Sequence, residues 1–466
     1  MKNYLICLVI IAASCTSPIN HKTTGAICIS DSTRHASCVY LTTDEKDQPI
    51  VSWCETNPDS KQKSFYMAWL DEKSGRFSSK IAIPIEQNAS LHEEGMPKIA
   101  VKNNGAIIAV YETSTPSDYN RFAGSIRYIV STNKGKSWTN PVYLHADTTP
   151  GKSHSFTALA RLGDGEIGAC WLDAKPNKKI HGRPVRFAKT SGGNSFVNEM
   201  VIDSIACECC RIAISGSKNG RVSIVFRDII NDSIRDMSIV TSEDNGNTFS
   251  LAVPYSKDGW VINGCPHNGP ALAITDNKMY TTWFTGGSQK GVYYCELNTH
   301  LKPANRLLVS NQARFIQLCV LEEGSRILAY DEKRKVGDKT FNKIVLNRLI
   351  DDRAYAGEIA SSGSMASYPV VKAFGKDKVV VAWSQDEKIY YSVVDVESIN
   401  KPVIKKPSRG VNVAYNPQSA MDDPVCGMKV SATEDTVRYR GNLLGFCSEL
   451  CKARFLDEPA AYVENH

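Results

Sequence analysis

The chain has 466 residues, 42% of them hydrophobic and 22% charged, with a formal net charge of +6. That is enough material for one large domain with a buried core and a small one beside it. Lys and Arg are scattered rather than run together, which argues against a nucleic-acid-binding surface.

The N-terminus reads as a targeting segment. Lys2 supplies a positive charge, Leu5 to Ala13 a short apolar run, and Ala12-Ala13-Ser14-Cys15 a small-residue cleavage site ending in cysteine. The apolar run is too short to remain as a membrane-spanning helix. Residues 1–15 resemble a bacterial lipoprotein signal peptide, although Ala12 stands where that pattern more often has Leu. The resemblance implies that Cys15 becomes the lipid-bearing first residue, anchoring the protein in the cell envelope on the periplasmic face or cell surface. An ordinary secretory signal is the alternative, and it too places the mature chain outside the cytoplasm. Of the 15 cysteines, thirteen remain once Cys7 and Cys15 are set aside. An odd number cannot all be paired within the chain, so at least one thiol is free or holds a metal.

From about residue 25 to 405 a unit of short strands recurs. Each unit runs from an apolar strand through a Gly/Asp/Asn turn to a second strand ending in an aromatic residue, then a third strand. The aromatic anchors are Trp53, Tyr111, Trp171, Phe226, Trp283, Tyr330 and Trp383, spaced 58, 60, 55, 57, 47 and 53 residues apart. No long helical periodicity competes with this pattern. Units of about 50 residues made of short strands predict the four-stranded blades of a β-propeller, seven by this count, with six and one irregular unit as the alternative. The turns "STNKGKSW" (131–138) and "SEDNGNTF" (242–249) resemble the Asp-box of sialidase-type BNR repeats, and "TSGGNSF" (190–196) is a degraded copy. The resemblance implies an all-β, sialidase-like six- or seven-bladed propeller. Asp-boxes are structural and do not by themselves establish activity.

Residues 406–420 are basic, contain Pro and lack the blade pattern, which reads as a linker. The block 421–466 follows, with Asp423-Pro424-Val425-Cys426-Gly427-Met428, Tyr439, Gly441, Phe446-Cys447-Ser448, Cys451, Phe455, Pro459 and Tyr462. It resembles the YHS domain, related to the TRASH-type metal modules, and so implies a small α+β metal-binding domain. A Cys-x3-Cys pair opening a helix puts Cys447 and Cys451 on one face, and Cys426 from a preceding hairpin closes the set. Three thiolates favour a transition metal of soft or borderline character, copper first and zinc second. A Cys447–Cys451 or Cys426–Cys447 disulfide is the alternative.

A second sulfur cluster lies within the repeats. "ACECC" places Cys207, Cys209 and Cys210 before the first strand of the fourth unit, and "CPH" places Cys265 and His267 at the equivalent point of the fifth. First strands line a propeller's channel, so these loops ring its mouth. His154, His92, Met96, His35, Cys38 and Met365 occupy like positions in other units. The candidate metal ligands at the mouth are therefore Cys207, Cys209, Cys210, Cys265, His267 and His154. A disulfide from Cys209 or Cys210 to Cys265 is the competing reading.

Sialidases grip a substrate carboxylate with three arginines, the first in an Arg-Ile-Pro motif that this sequence lacks. Arg211, Arg227 and Arg314 are the nearest candidates for an anionic pocket. The expectation is a non-hydrolytic envelope protein that binds, and hands on, a transition metal, with an envelope metal-handling protein as a conceivable partner. An exo-glycosidase of sialidase type acting on sialoglycans, with the metal module accessory, is the alternative.

Overall fold

The structure is a computed structural model. Outside its description lie residues 1–24, 176–180, 263, 288, 352, 361–364, 404–419, 426–428, 432–434, 441, 447–448, 458, 460–461 and 463–466. Seven antiparallel sheets follow one another along the chain, each with its first strand innermost. The inner strands are His35–Thr43, Lys98–Val101, Ser155–Arg161, Ala213–Gly216, Ala271–Ile274, Ala313–Val320 and Ala366–Phe374. Together they line a channel of about 980 Å³. The repeat count of seven is therefore the blade count, and the six-bladed alternative falls away. The N-terminal strand Ile27–Cys28 pairs with Lys388–Asp395 as the fourth strand of the last blade. Head and tail of the ring thus share one sheet.

All seven aromatic anchors lie on the second strand of their blades. Trp53, Trp171, Trp283 and Trp383 are fully buried. They pack in clusters that draw on two neighbouring blades, as Trp53 does with Val370 and Tyr391 of the last blade, and Trp171 with Ile126 and Tyr128 of the second. Burying one such ring removes about 200 Å² from water, on the order of 5 kcal/mol. Their spacing in the sequence is the spacing of blade-to-blade seams.

The recurrent turns join third to outer strands. Ser131 Oγ accepts from Gly135 N at 2.8 Å and Asn133 Oδ1 from Ser137 N at 2.9 Å. Ser242 Oγ accepts from Gly246 N and Asp244 Oδ1 from Thr248 N, both at 2.9 Å. Trp138 and Phe249 then reach into the seams with the preceding blades. The degraded copy keeps only the last feature: Phe196 meets Tyr128 edge-on at 5.1 Å, while Thr190 bonds Glu166 instead.

Four inner strands carry a bulge just inside one end of the channel. In each, a non-glycine residue takes a left-handed conformation: Cys38 (φ 60), Phe156 (φ 59), Phe315 (φ 51) and Tyr368 (φ 52). A bulge releases N–H groups from the ladder, and buried they need other acceptors. Glu93 receives Cys38 N, Glu112 receives Thr157 N and Asn268 receives Phe315 N, at 3.0, 3.2 and 3.2 Å.

The C-terminal block forms two hairpins, Ala420–Asp422 with Lys429–Ser431 and Asp435–Tyr439 with Asn442–Phe446, then the helix Glu449–Asp457. Its core is Val425, Phe446, Cys451 and Phe455, with Tyr439 and Tyr462 against it. Among the described residues no helix is long and apolar enough to cross a membrane.

Candidate metal centre

The loop from 207 to 212 joins the outer strand Phe196–Ala206 of the third blade to the inner strand of the fourth. It delivers three buried cysteines to the channel mouth. The corresponding loop of the next blade delivers Cys265 and His267. The structure joins Cys209 to Cys265 by a disulfide, with Cα atoms 5.9 Å apart. This corrects the expectation that these two offer thiolates to an ion: bonded to each other, they have no charge to donate. It also settles the open choice of partner, Cys209 rather than Cys210.

The other sulfurs stay close. Cys207 Sγ is 3.9 Å from Cys209 Sγ, and Phe156, the left-handed residue of the third inner strand, packs on the whole cluster. Burial opposes a thiolate at Cys210, but the hydrogen bond from Cys207, the Arg227 guanidinium and the Asn268 N–H outweigh it and bring its pKa well below the ordinary thiol range. The same contact raises Cys207, which stays a thiol. Two sets of ligand atoms each lie within 4.8 Å: Cys207, Cys209 and Cys210, and Cys209, Cys265 and His267. His267 is held at φ 43, and its Nδ1 is buried without a hydrogen-bond partner.

His92 faces His267 with ring centroids 5.5 Å apart. Its Nδ1 accepts from the N–H groups of Glu94 and Gly95, both at 3.2 Å, capping a single helical turn. Burial, then the neighbouring His267 and Arg454, push its pKa down to about 3, with Cys451 pulling the other way. Arg454 and Cys451 belong to the C-terminal helix, which is therefore within electrostatic reach of His92. Arg121 above the Tyr462 ring, at 5.9 Å, is a contact between module and propeller.

His154 does not join the sulfurs. Its Nδ1 bonds Asp173 at 2.5 Å, and its ring stacks on His145 at 3.7 Å. His35 stands exposed beside Glu387, and Met365 is exposed. Cys38 lies buried on Cys54, whose hydrogen bond raises its pKa. Of the module's three candidate ligands, Cys451 is buried in its core. Cys426 and Cys447, like the lipidation residue Cys15, lie outside the described residues.

Beneath the sulfurs sits a charged layer that sequence reasoning missed. Arg211 bonds Glu94 at 2.5 Å, and Glu94 also receives Gly269 N. Burial pushes Glu93 and Glu112 up to about 7 and Lys98 down to about 8. "HEEG" was the only hint, since a carboxylate inside a strand usually marks a solvent face. Two of the three arginines proposed for an anionic pocket, Arg211 and Arg227, are committed elsewhere. Arg211 also donates to the carbonyls of Gly269 and Ile316, and Arg227 to those of Arg235, Asn268 and Phe284.

The YHS domain family matches residues 421–466, and this segment is a YHS domain, which points to a metal-binding role. Among curated proteins no match was found. The propeller is similar to several solved structures. Polysaccharide lyase Uly1 aligns with a TM-score of 0.52 at 10% identity, over 82% of this chain and 94% of that one. The Hadza microbial sialidase Hz136 gives 0.45 at 15%, over 75% and 76%. The NanB sialidase from Streptococcus pneumoniae gives 0.47 at 9%, over 80% and 70%. At such identities the likeness concerns the fold alone: a seven-bladed propeller, here carrying a C-terminal YHS domain.

Proposed function

We propose that this chain is a lipid-anchored protein of the bacterial cell envelope that binds a transition metal, copper first and zinc second, and passes it between its two domains. Cys426, Cys447 and Cys451 form the module's site, and the mouth cluster is the second station. The observation that carries the reading is the cluster at the mouth: Cys207, Cys209, Cys210 and Cys265 gather there with His267, and the module helix bearing Cys451 is within electrostatic reach of His92 beside them. Thiolates of this number favour Cu(I) or Zn(II), and a module of this size gains stability from a bound ion.

Metal analysis of protein purified under reducing anaerobic conditions tests it, wild type against the double variant Cys447→Ala/Cys451→Ala. The wild type is expected to carry metal that the variant lacks; equal, near-zero content in both removes the idea.

The sialidase reading needs guanidinium groups free to grip a carboxylate. Arg211 and Arg227 spend their donors on backbone carbonyls and Glu94, which supports a non-hydrolytic propeller. Turnover of a fluorogenic sialoside by a chain lacking 421–466 would reverse that conclusion.

A further inference from the structure

Four sulfurs meet at the mouth where a structural cross-link between two loops would need only two. The two ligand sets there, Cys207/Cys209/Cys210 and Cys209/Cys265/His267, share a single member, Cys209. The disulfide withdraws that shared member together with Cys265. What it leaves is Cys207 and Cys210 on one side and His267 on the other, its buried Nδ1 still without a partner. Breaking the bond restores Cys209 to both sets at once and makes them one continuous array of four thiols and an imidazole. The third sulfur, Cys207 Sγ, already lies 3.9 Å from the bond at Cys209.

We infer that the Cys209–Cys265 disulfide is a reversible gate on a metal site borne by the propeller itself, opened by reduction and closed by reoxidation. The inference rests on the metal-binding reading for its choice of ion and extends it to a residue set independent of the YHS cysteines. The reductant is a dithiol. One of its thiolates attacks the Cys209–Cys265 bond to form a mixed disulfide, and its second thiol displaces the protein sulfur. Two electrons and two protons pass to the protein, which gains two thiols, and the reductant leaves as its own disulfide. A soft ion then displaces protons from the thiols, and His267 supplies the nitrogen ligand. Reoxidation is the same exchange reversed, with a partner disulfide as oxidant: the Cys209 thiolate attacks it to form a mixed disulfide, and Cys265 displaces the partner's sulfur. The partner leaves as a dithiol with the two electrons and two protons, and loss of the central ligand expels the ion. Such a gate would hold metal in a reducing encounter and release it in an oxidising compartment.

The test uses the full chain carrying Cys426→Ala/Cys447→Ala/Cys451→Ala, so that only the mouth is counted. Oxidised protein and protein reduced with dithiothreitol, both desalted anaerobically, are titrated with Cu(I) against a chromogenic chelator. The reduced form is expected to take up a tightly bound ion that the oxidised form does not. Adding Cys209→Ser to the reduced chain should abolish that uptake while leaving the circular-dichroism spectrum unchanged. Equal uptake in both redox states, or uptake that survives Cys209→Ser, overturns the gate. Wild-type protein gives an independent readout should a variant fail to fold. Iodoacetamide should label Cys209 and Cys265 only after reduction, and Cu(I) should protect them. Labelling of the reduced protein that Cu(I) does not slow is a second refutation. Because the YHS ligands are absent from the titrated chain, their failure to bind metal would leave this outcome unaffected.

Discussion

A carboxylate at the mouth illustrates how a single residue ties fold stability to pH. Glu112 sits on the second strand of its blade, buried, and accepts the N–H freed by the bulge at Phe156. Burial raises its pKa from 4.5 to about 7, against the opposing pull of Lys98 and the Thr157 N–H. In that window the folded chain therefore holds a proton that the unfolded chain has lost. A raised folded pKa means stability is fully present below 4.5 and declines as pH rises towards 7. Glu112→Gln keeps an oxygen acceptor for Thr157 N and removes the titration. Urea denaturation of wild type and variant at several pH values between 4.5 and 7 should show a shallower fall for the variant; identical slopes would mean that Glu112 titrates normally. The same residue shows where sequence reading stops. Glu112 closes a continuous apolar run, Ile107 to Tyr111, and nothing local records that a neighbouring inner strand will bulge and present an unpaired N–H to it. The choice of Cys209 over Cys210 as partner of Cys265 was hidden for a like reason: adjacent residues of an irregular loop have no period to tell their directions apart.

At the scale of elements, the sequence was most legible where packing repeats. Each aromatic anchor recurs because each blade must fill the same seam, and seven seams give seven anchors on seven second strands. The third-to-outer turns recur for a related reason, and they differ in how much they pin. Gly246 has φ +78, and a Cβ there would meet Phe187 Cζ of the preceding blade at 2.7 Å. Gly192, in the degraded turn, has φ +58 with nothing within 4 Å. Gly192→Ala should cost only the left-handed backbone penalty, about 1 kcal/mol, whereas Gly246→Ala adds displacement of a fully buried ring and should cost about 2–3 kcal/mol. Thermal or denaturant unfolding of the two variants checks the order. Equal losses would show that the turn's role is conformational and that its contact with the neighbouring blade contributes nothing. The bulges carry only a faint signature: Phe156, Phe315 and Tyr368 are aromatic and Ser precedes Cys38, Phe156 and Tyr368, a pattern too short to set apart from ordinary strand sequence.

For the molecule as a whole, the question is how the YHS domain and the propeller bear on each other. The ring is closed by its own N-terminal strand, and Lys401–Pro402 ends the propeller by pairing with the outer strand of the sixth blade. Among the described residues no blade borrows a strand from the module, so a chain ending at residue 405 should fold and unfold as cooperatively as the full chain. His92 reports whether the module covers the mouth. In the full chain its pKa is pushed down to about 3 by burial first, then by His267 and by Arg454 of the module's helix, so the imidazole stays neutral through physiological pH. Removing the module lifts part of the burial and all of the Arg454 contribution, while the loss of Cys451 works weakly in the opposite sense. The net shift is upward, towards the ordinary value of about 6.5. Following the His92 ring protons by NMR from pH 3 to 8 should therefore show a higher midpoint in the truncated chain. An unchanged midpoint would mean that the helix bearing Cys451 does not rest on the mouth in solution, and direct transfer of an ion between the two sulfur sites would lose its structural basis.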